Sequence, residues 1–126
     1  MWDLPQTGMP WAAAGYQGAI SSGKTTCGLL IGSGIAMGLK AGIGIEHVPH
    51  EQKEVRAKAI GAVYELYQDF IKEFKVTSCT DLLGCDLSIP EEREKWINEK
   101  IYKQVCDVCL SFVMNKCRDM AEQGKI

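Results

Sequence analysis

The sequence predicts an all-α fold: a small helical bundle of three main helices, with a short helical segment before the first. Three observations carry this. Apolar residues recur at spacings of three and four from Val55 to Phe74. An uncharged, glycine-rich stretch, residues 25–39, follows a run of capping residues. A third long region opens at Ser88-Ile-Pro90-Glu91, which reads as a capping box with proline inside it. No buried β runs alternate with these helices, as a parallel sheet would need.

Taken in order, residues 1–22 are poor in charge, and Pro10 followed by Trp11-Ala-Ala-Ala14 starts the short segment, broken by Gly15. The first main helix is expected over about 24–40, with Ser22, Thr25 and Thr26 as capping residues and Cys27 in its first turn. Gly28, Gly32, Gly34 and Gly38 imply close approach of another backbone or a bulky group, because each costs roughly 1 kcal/mol against alanine in a helix. Gly42 and Gly44 end the helix in a loop. The second helix, about 49–75, takes Pro49 at its first position. Val55, Ala59, Ala62, Val63, Leu66, Phe70 and Phe74 form its core stripe, flanked by Tyr64 and Tyr67 as packing residues. Lys53, Glu54, Lys58, Glu65, Asp69, Lys72 and Glu73 form its wet face. Ser78 caps a short turn, Cys79–Leu83, which Gly84 stops. The third helical region, about 90–122, is bent near Asn98, with Ile97, Ile101, Val105, Val108, Phe112 and Val113 as its apolar positions.

The 126 residues suit one domain with one core, spanning 1–126. A formal net charge of −2, from 14 basic and 16 acidic residues, points to neither nucleic acid nor an anionic membrane surface. The start Met1-Trp2-Asp3-Leu4-Pro5 lacks the pattern of a secretory signal, and residues 25–39 are too short to span a bilayer. A cytoplasmic protein is expected. Six cysteines are then many, because clustered cysteines in a reducing compartment more often bind metal or do redox work than form disulfides.

Gly18-Ala-Ile-Ser-Ser-Gly23-Lys24-Thr25 fits the phosphate-loop pattern GxxxxGK[ST], which offers a nucleotide-binding alternative with Lys24 on phosphate and Thr25 on magnesium. The strand that must precede such a loop is missing: residues 11–17 hold three alanines, a glycine and no β-branched residue. The thiol reading is the stronger. Cys27 sits near the positive end of a helix with Lys24 close by, and both favour thiolate. Cys79 and Cys85 bracket one helical turn and a glycine reversal, which can point two sulfurs at one spot. Cys106 and Cys109 form a CxxC without the histidine of a haem-attachment motif. Of these, Cys106 is favoured for the site, and Cys109 and Cys117 read as buried hydrophobes. His47 and His50 read as polar surface. No acid/base or Ser/His/Asp constellation is present, so an electron-transfer or redox accessory protein is expected rather than an independent catalyst.

Cys27-Gly28-Leu29-Leu30-Ile31-Gly32, Met37-Gly38-Leu39, the segment Cys79-Thr-Asp-Leu-Leu-Gly-Cys85-Asp-Leu-Ser and Cys106 together resemble the small redox-active family named for its C-GCAxxG-C-C cysteine pattern, which is similar to the non-haem module of split-Soret cytochromes. The resemblance covers roughly residues 12–110. It implies a helical bundle, a redox role and an iron–sulfur cluster as cofactor; zinc is the alternative, in a structural site of an interaction protein. The family has alanine where Leu29 stands, and its members usually carry an N-terminal helix with a further cysteine. The chain is expected to begin too late to contain that helix, so that this ligand is either missing or supplied by a partner. Three amphipathic helices without a fourth leave apolar surface bare, so a symmetric homodimer is expected. In an up-down bundle the first helix starts where the second ends and the third begins. Cys27, Cys79, Cys85 and Cys106 are therefore expected to converge as metal ligands or as a dithiol relay.

Overall fold

The computed structural model of the protein describes residues 23–45 and 51–126. The elements there are helical: α1 (Gly28–Ala41), α2 (Lys53–Phe74), α3 (Cys79–Leu83), α4 (Pro90–Asn98), α5 (Ile101–Gln104) and α6 (Cys106–Glu122). Among the described residues there is no strand, only an isolated antiparallel bridge between Thr26 and Ser78. The all-α expectation holds. The short segment expected near Trp11, together with His47, Pro49 and His50, lies outside the described residues. No helix among the described residues is long and apolar enough to cross a membrane.

Three helices make the core. Leu30 and Met37 of α1, Ala62, Leu66 and Phe70 of α2, and Cys109, Val113, Cys117 and Met120 of α6 form one buried cluster. The α2 residues recur every four positions, as the sequence stripe requires. Phe70, Phe74 and Phe112 add a ring cluster, with centroids 4.6, 6.1 and 5.2 Å apart in tilted and edge-on arrangements. The wet face of α2 is tied by Asp69 to Lys116 of α6 at 2.6 Å and by Glu65 to Lys125, just past the end of α6. Contacts run from Thr26 to Ser78, from Gly34 to Val63, and from Phe112 to Phe70 while Lys125 reaches back to Glu65. Both α1 and α6 are thus antiparallel to α2, and their first residues lie at the end of the bundle where α2 finishes.

Several expectations need correction. First, α1 begins at Gly28 rather than near Lys24, because the preceding residues are spent on another contact: the Cys27 amide donates to Thr77 O at 2.7 Å. Cys27 is the cap (φ −48°, ψ 131°), not a first-turn residue. Second, among the described residues the close approach to the glycine face of α1 is seen at Gly34 and is made by a side chain, not a backbone. A Cβ at Gly34 would sit 3.4 Å from Val63, whereas Gly32 and Gly38 face nothing within 4 Å among the described residues. Third, Ser88 does not cap α4. Ile89 takes that place, Pro90 follows as expected, and the Ser88 amide and hydroxyl instead donate to the Asp86 carboxylate. Fourth, the region 90–122 is not one bent helix. It breaks at Lys100, which holds a left-handed φ of 53°, and kinks again at Val105. These breaks reset the helical phase. Ile97 and Val108, predicted as core, are 54% and 53% exposed, whereas Cys109 and Cys117 are buried as expected. The start of α2 shifts too, to Lys53. Tyr64 is exposed while Tyr67 packs against the core.

Candidate thiol site

The site is built where two short segments, distant in sequence, lie side by side. Residues 23–27 run along residues 77–80. The Thr80 amide and hydroxyl both donate to Gly23 O, at 2.8 and 2.9 Å, and Cys27 donates to Thr77 O. Gly23 is required twice over. Its φ is +71°, and a Cβ there would come within 2.9 Å of Thr80 Oγ1. On the other segment the Ser78 hydroxyl accepts the Asp81 amide at 3.1 Å, which caps α3, and Gly84 closes that helix at φ +66°. This part of the sequence reading holds.

The two segments bring Cys27, the cap of α1, against Cys79, the first residue of α3. The two thiols are close enough to titrate together. The Cys27 thiol first, then the Gly28 amide at the start of α1, hold Cys79 down to about 6, against an opposing contribution from burial. Cys27 moves the other way: the neighbouring Cys79 comes first and burial second, and the thiol is pushed far up. The first charge of the pair is therefore favoured at Cys79, beside the start of α1.

The other thiols surround this pair. Cys106 opens α6 and is half-buried; burial first, then the negative charge of Cys79, push its thiol up, and Cys85 adds to the effect. Cys109, one turn on and 1% exposed, is raised by burial, by Cys106 and by Cys79. Cys85 is buried just past α3, raised by burial and by the nearby Glu92 carboxylate, whose oxygen also accepts the Asp86 amide. Cys117 is 3% exposed, beside Ser33 of α1, and plays a packing role. Cys79 is thus the one thiol whose charge is felt at Cys27, Cys106 and Cys109 together. Six free thiols, and no disulfide, are found among the described residues. Sequence reasoning set Cys109 aside as a core residue. It is one, but it also stands in the field of Cys79, and its CxxC spacing to Cys106 was the available signal.

Four thiolates are a donor set for soft metals. Among the described residues, however, no three His, Cys, Asp or Glu side chains gather closely enough to hold a metal ion. As placed, these thiols are not drawn together around a single metal ion. The phosphate-loop reading fares worse. Its helix should open at the Lys-Thr step, but α1 opens only at Gly28, and the Lys24 ammonium lies 3.6 Å from Asp86; Gly18 to Ser22 lie outside the described residues.

No curated protein and no solved structure matches the chain. A family model described as "Putative redox-active protein (C_GCAxxG_C_C)" matches residues 1–121. That span is wider than residues 12–110, over which the cysteine spacing carries the resemblance, and it includes every thiol described above. The helical bundle and its thiol-rich end are those of a member of that redox-active family, to which this chain belongs.

Proposed function

We propose that the protein exchanges electrons with disulfides through Cys79 and Cys27. Cys79 is the nucleophile and Cys27 the resolving thiol. The observation that supports this is the strap that sets Cys27, the cap of α1, against Cys79, the first residue of α3, through the bonds from the Cys27 amide to Thr77 O at 2.7 Å and from the Thr80 amide to Gly23 O at 2.8 Å; the Cys27 thiol and the Gly28 amide then lower Cys79. A thiolate attacks disulfides and a thiol does not, so the residue that keeps its charge near neutral pH is the one that reacts first.

The steps balance. The Cys79 thiolate attacks one sulfur of a disulfide substrate. The substrate S–S bond breaks, its second sulfur leaves as a thiolate that takes a proton from water, and Cys79 is held in a mixed disulfide. Cys79 no longer carries the charge that kept Cys27 protonated. Cys27 loses its proton and attacks Cys79, the substrate's other sulfur leaves as a thiolate, and a Cys27–Cys79 disulfide remains. Two electrons have passed to the substrate. The strap between residues 23–27 and 77–80 keeps the two sulfurs adjacent through the cycle.

Incubation of Cys27→Ser with glutathione disulfide should trap a glutathione adduct on Cys79, seen by peptide mass spectrometry. Cys79→Ser should form none at Cys27 at neutral pH. Adducts spread evenly over the six cysteines would overturn the reading. Metal ligation by Cys27, Cys79, Cys85 and Cys106 is the other use of the same thiols, and would require Cys85 and Cys106 to close on the pair. Iron, zinc and sulfide analysis after anaerobic purification separates the two: stoichiometric metal lost in the Cys79→Ser, Cys85→Ser double variant would favour it. Exposed Ile60 and Tyr64 on α2 and Val108, Leu110 and Met114 on α6 are the surface a symmetric dimer would cover.

A further inference from the structure

The Cys106–Cys109 pair has no role in that cycle, yet its placement is specific. Cys106 is the first residue of α6 and Cys109 lies one turn on, inside the core. The Cys109 amide closes the first turn onto Val105 O at 2.9 Å. The start of α6 also faces α3. Asp81 and Leu82 of α3 line one groove together with Val105 and Val108, and Leu82 and Val105 both pack on the cluster that contains Cys109. Cys79, which opens α3, thus stands across this groove from the start of α6, where its charge acts on both Cys106 and Cys109.

We propose that Cys106 and Cys109 form a second dithiol couple that takes over the oxidation of the Cys27–Cys79 pair by internal exchange. Positions i and i+3 of a helix carry Cβ atoms about 5–6 Å apart, slightly more than a disulfide spans. The first turn of a helix can tighten to 3₁₀ geometry, where i and i+3 eclipse, and this closes the difference. Two features leave α6 free to do so at its start: the left-handed break at Lys100 and the kink at Val105 (φ −113°, ψ −59°).

The exchange conserves electrons. Cys106, as thiolate, attacks the Cys79 sulfur of the Cys27–Cys79 disulfide. That bond breaks, and Cys27 leaves and takes up the proton Cys106 gave to water. Cys109, as thiolate, then attacks Cys106 and displaces Cys79. A low-pKa sulfur leaves faster, so displacement of Cys79 is the favoured direction at this step. The result is a Cys106–Cys109 disulfide, with Cys109 shielded from solvent, and a Cys27–Cys79 pair reset for another substrate. One net proton goes to water, because Cys79 stays ionised.

This inference rests on the Cys27–Cys79 reading, and one experiment separates their failures. The full-length protein is equilibrated in glutathione buffers of rising disulfide fraction, quenched with acid, alkylated, and mapped by peptide mass spectrometry. In the wild type the first disulfide to accumulate should lie within peptide 104–116. In Cys106→Ser it should lie between Cys27 and Cys79. In Cys109→Ala a Cys79–Cys106 link should be trapped. Cys106→Ser, at a half-buried position, guards against loss of fold in the core variant, and circular dichroism checks both. A wild type that accumulates only Cys27–Cys79, with Cys106 and Cys109 free at every potential, overturns the second couple alone. A Cys106→Ser protein that never forms Cys27–Cys79 overturns both readings.

Discussion

Two regions of the molecule are made by different forces. The seam between α1, α2 and α6 is apolar and repetitive: Leu66, Phe70, Val113 and Met37 are almost fully buried, and any side chain of the right size and period would serve. The thiol end is polar and particular. There Gly23, Cys27, Thr77, Ser78 and Thr80 are fixed by individual hydrogen bonds across 57 residues of sequence, and hydrophobic burial contributes little. The first region gives stability without chemistry. The second gives chemistry, and it depends on the first to hold the start of α1 against the end of α2.

That dependence should run one way, and substitutions can break it. The largest effect is expected from Phe70→Ala, which removes a fully buried ring touching Phe74 and Phe112 and should cost about 3–5 kcal/mol in denaturant unfolding. Thiol reactivity should then lose its selectivity together with the fold. Next comes Cys79→Ser. At neutral pH an ordinary thiol is a few per cent ionised, so alkylation by iodoacetamide should slow by roughly tenfold or more when the low-pKa thiolate is removed, while the unfolding midpoint moves little. Gly23→Ala should be intermediate. The left-handed φ alone costs about 1–2 kcal/mol, and the displaced Thr80 should loosen the strap; the readout is a rise in the pH at which Cys79 reacts, with α2 and α6 still protected in hydrogen exchange. Ser78→Ala removes the cap of α3 and should cost about 1 kcal/mol. Lys116→Ala, at a partly exposed ion pair with Asp69, should cost less than about 1 kcal/mol and leave the thiols untouched.

The same contrast explains how far the sequence could be read. The seam of α2 was legible because its information is periodic, and α3 was legible because Ser78 and Gly84 mark its two ends locally. The strap was not, because backbone pairing between residues 23–27 and 77–80 leaves no pattern in either segment alone. Gly23 appeared instead as part of a phosphate-loop match. The end of α2 near Lys75 and the bend near Asn98 were legible, but the full interruption at Lys100 was not: Lys100, like Lys75, holds left-handed backbone without being glycine, so no residue type announces it. The break at Lys100 shifted the phase of α6, which moved Val108 out of the core, while Cys109 is buried as expected. At the site, the cysteine spacing pointed to Cys27, Cys79, Cys85 and Cys106 as a set of equals. The structure sets Cys27 and Cys79 apart by the strap that brings them together, and of the six thiols Cys79 is the one held below the ordinary range, by the Cys27 thiol and then the Gly28 amide.

The central claim is that Cys79 alone carries the charge of the pair. It is tested most directly by the pH dependence of alkylation, read at each cysteine by peptide mass spectrometry on the reduced protein. A depressed pKa means that the reactive form is lost only as pH falls through the lowered value. Cys79 should therefore react at its plateau rate at pH 7 and fall to half near pH 6, with Cys27 silent until far higher pH. A Cys79 midpoint near the ordinary thiol value of about 8.5, or a low midpoint at Cys27 instead, would contradict the account.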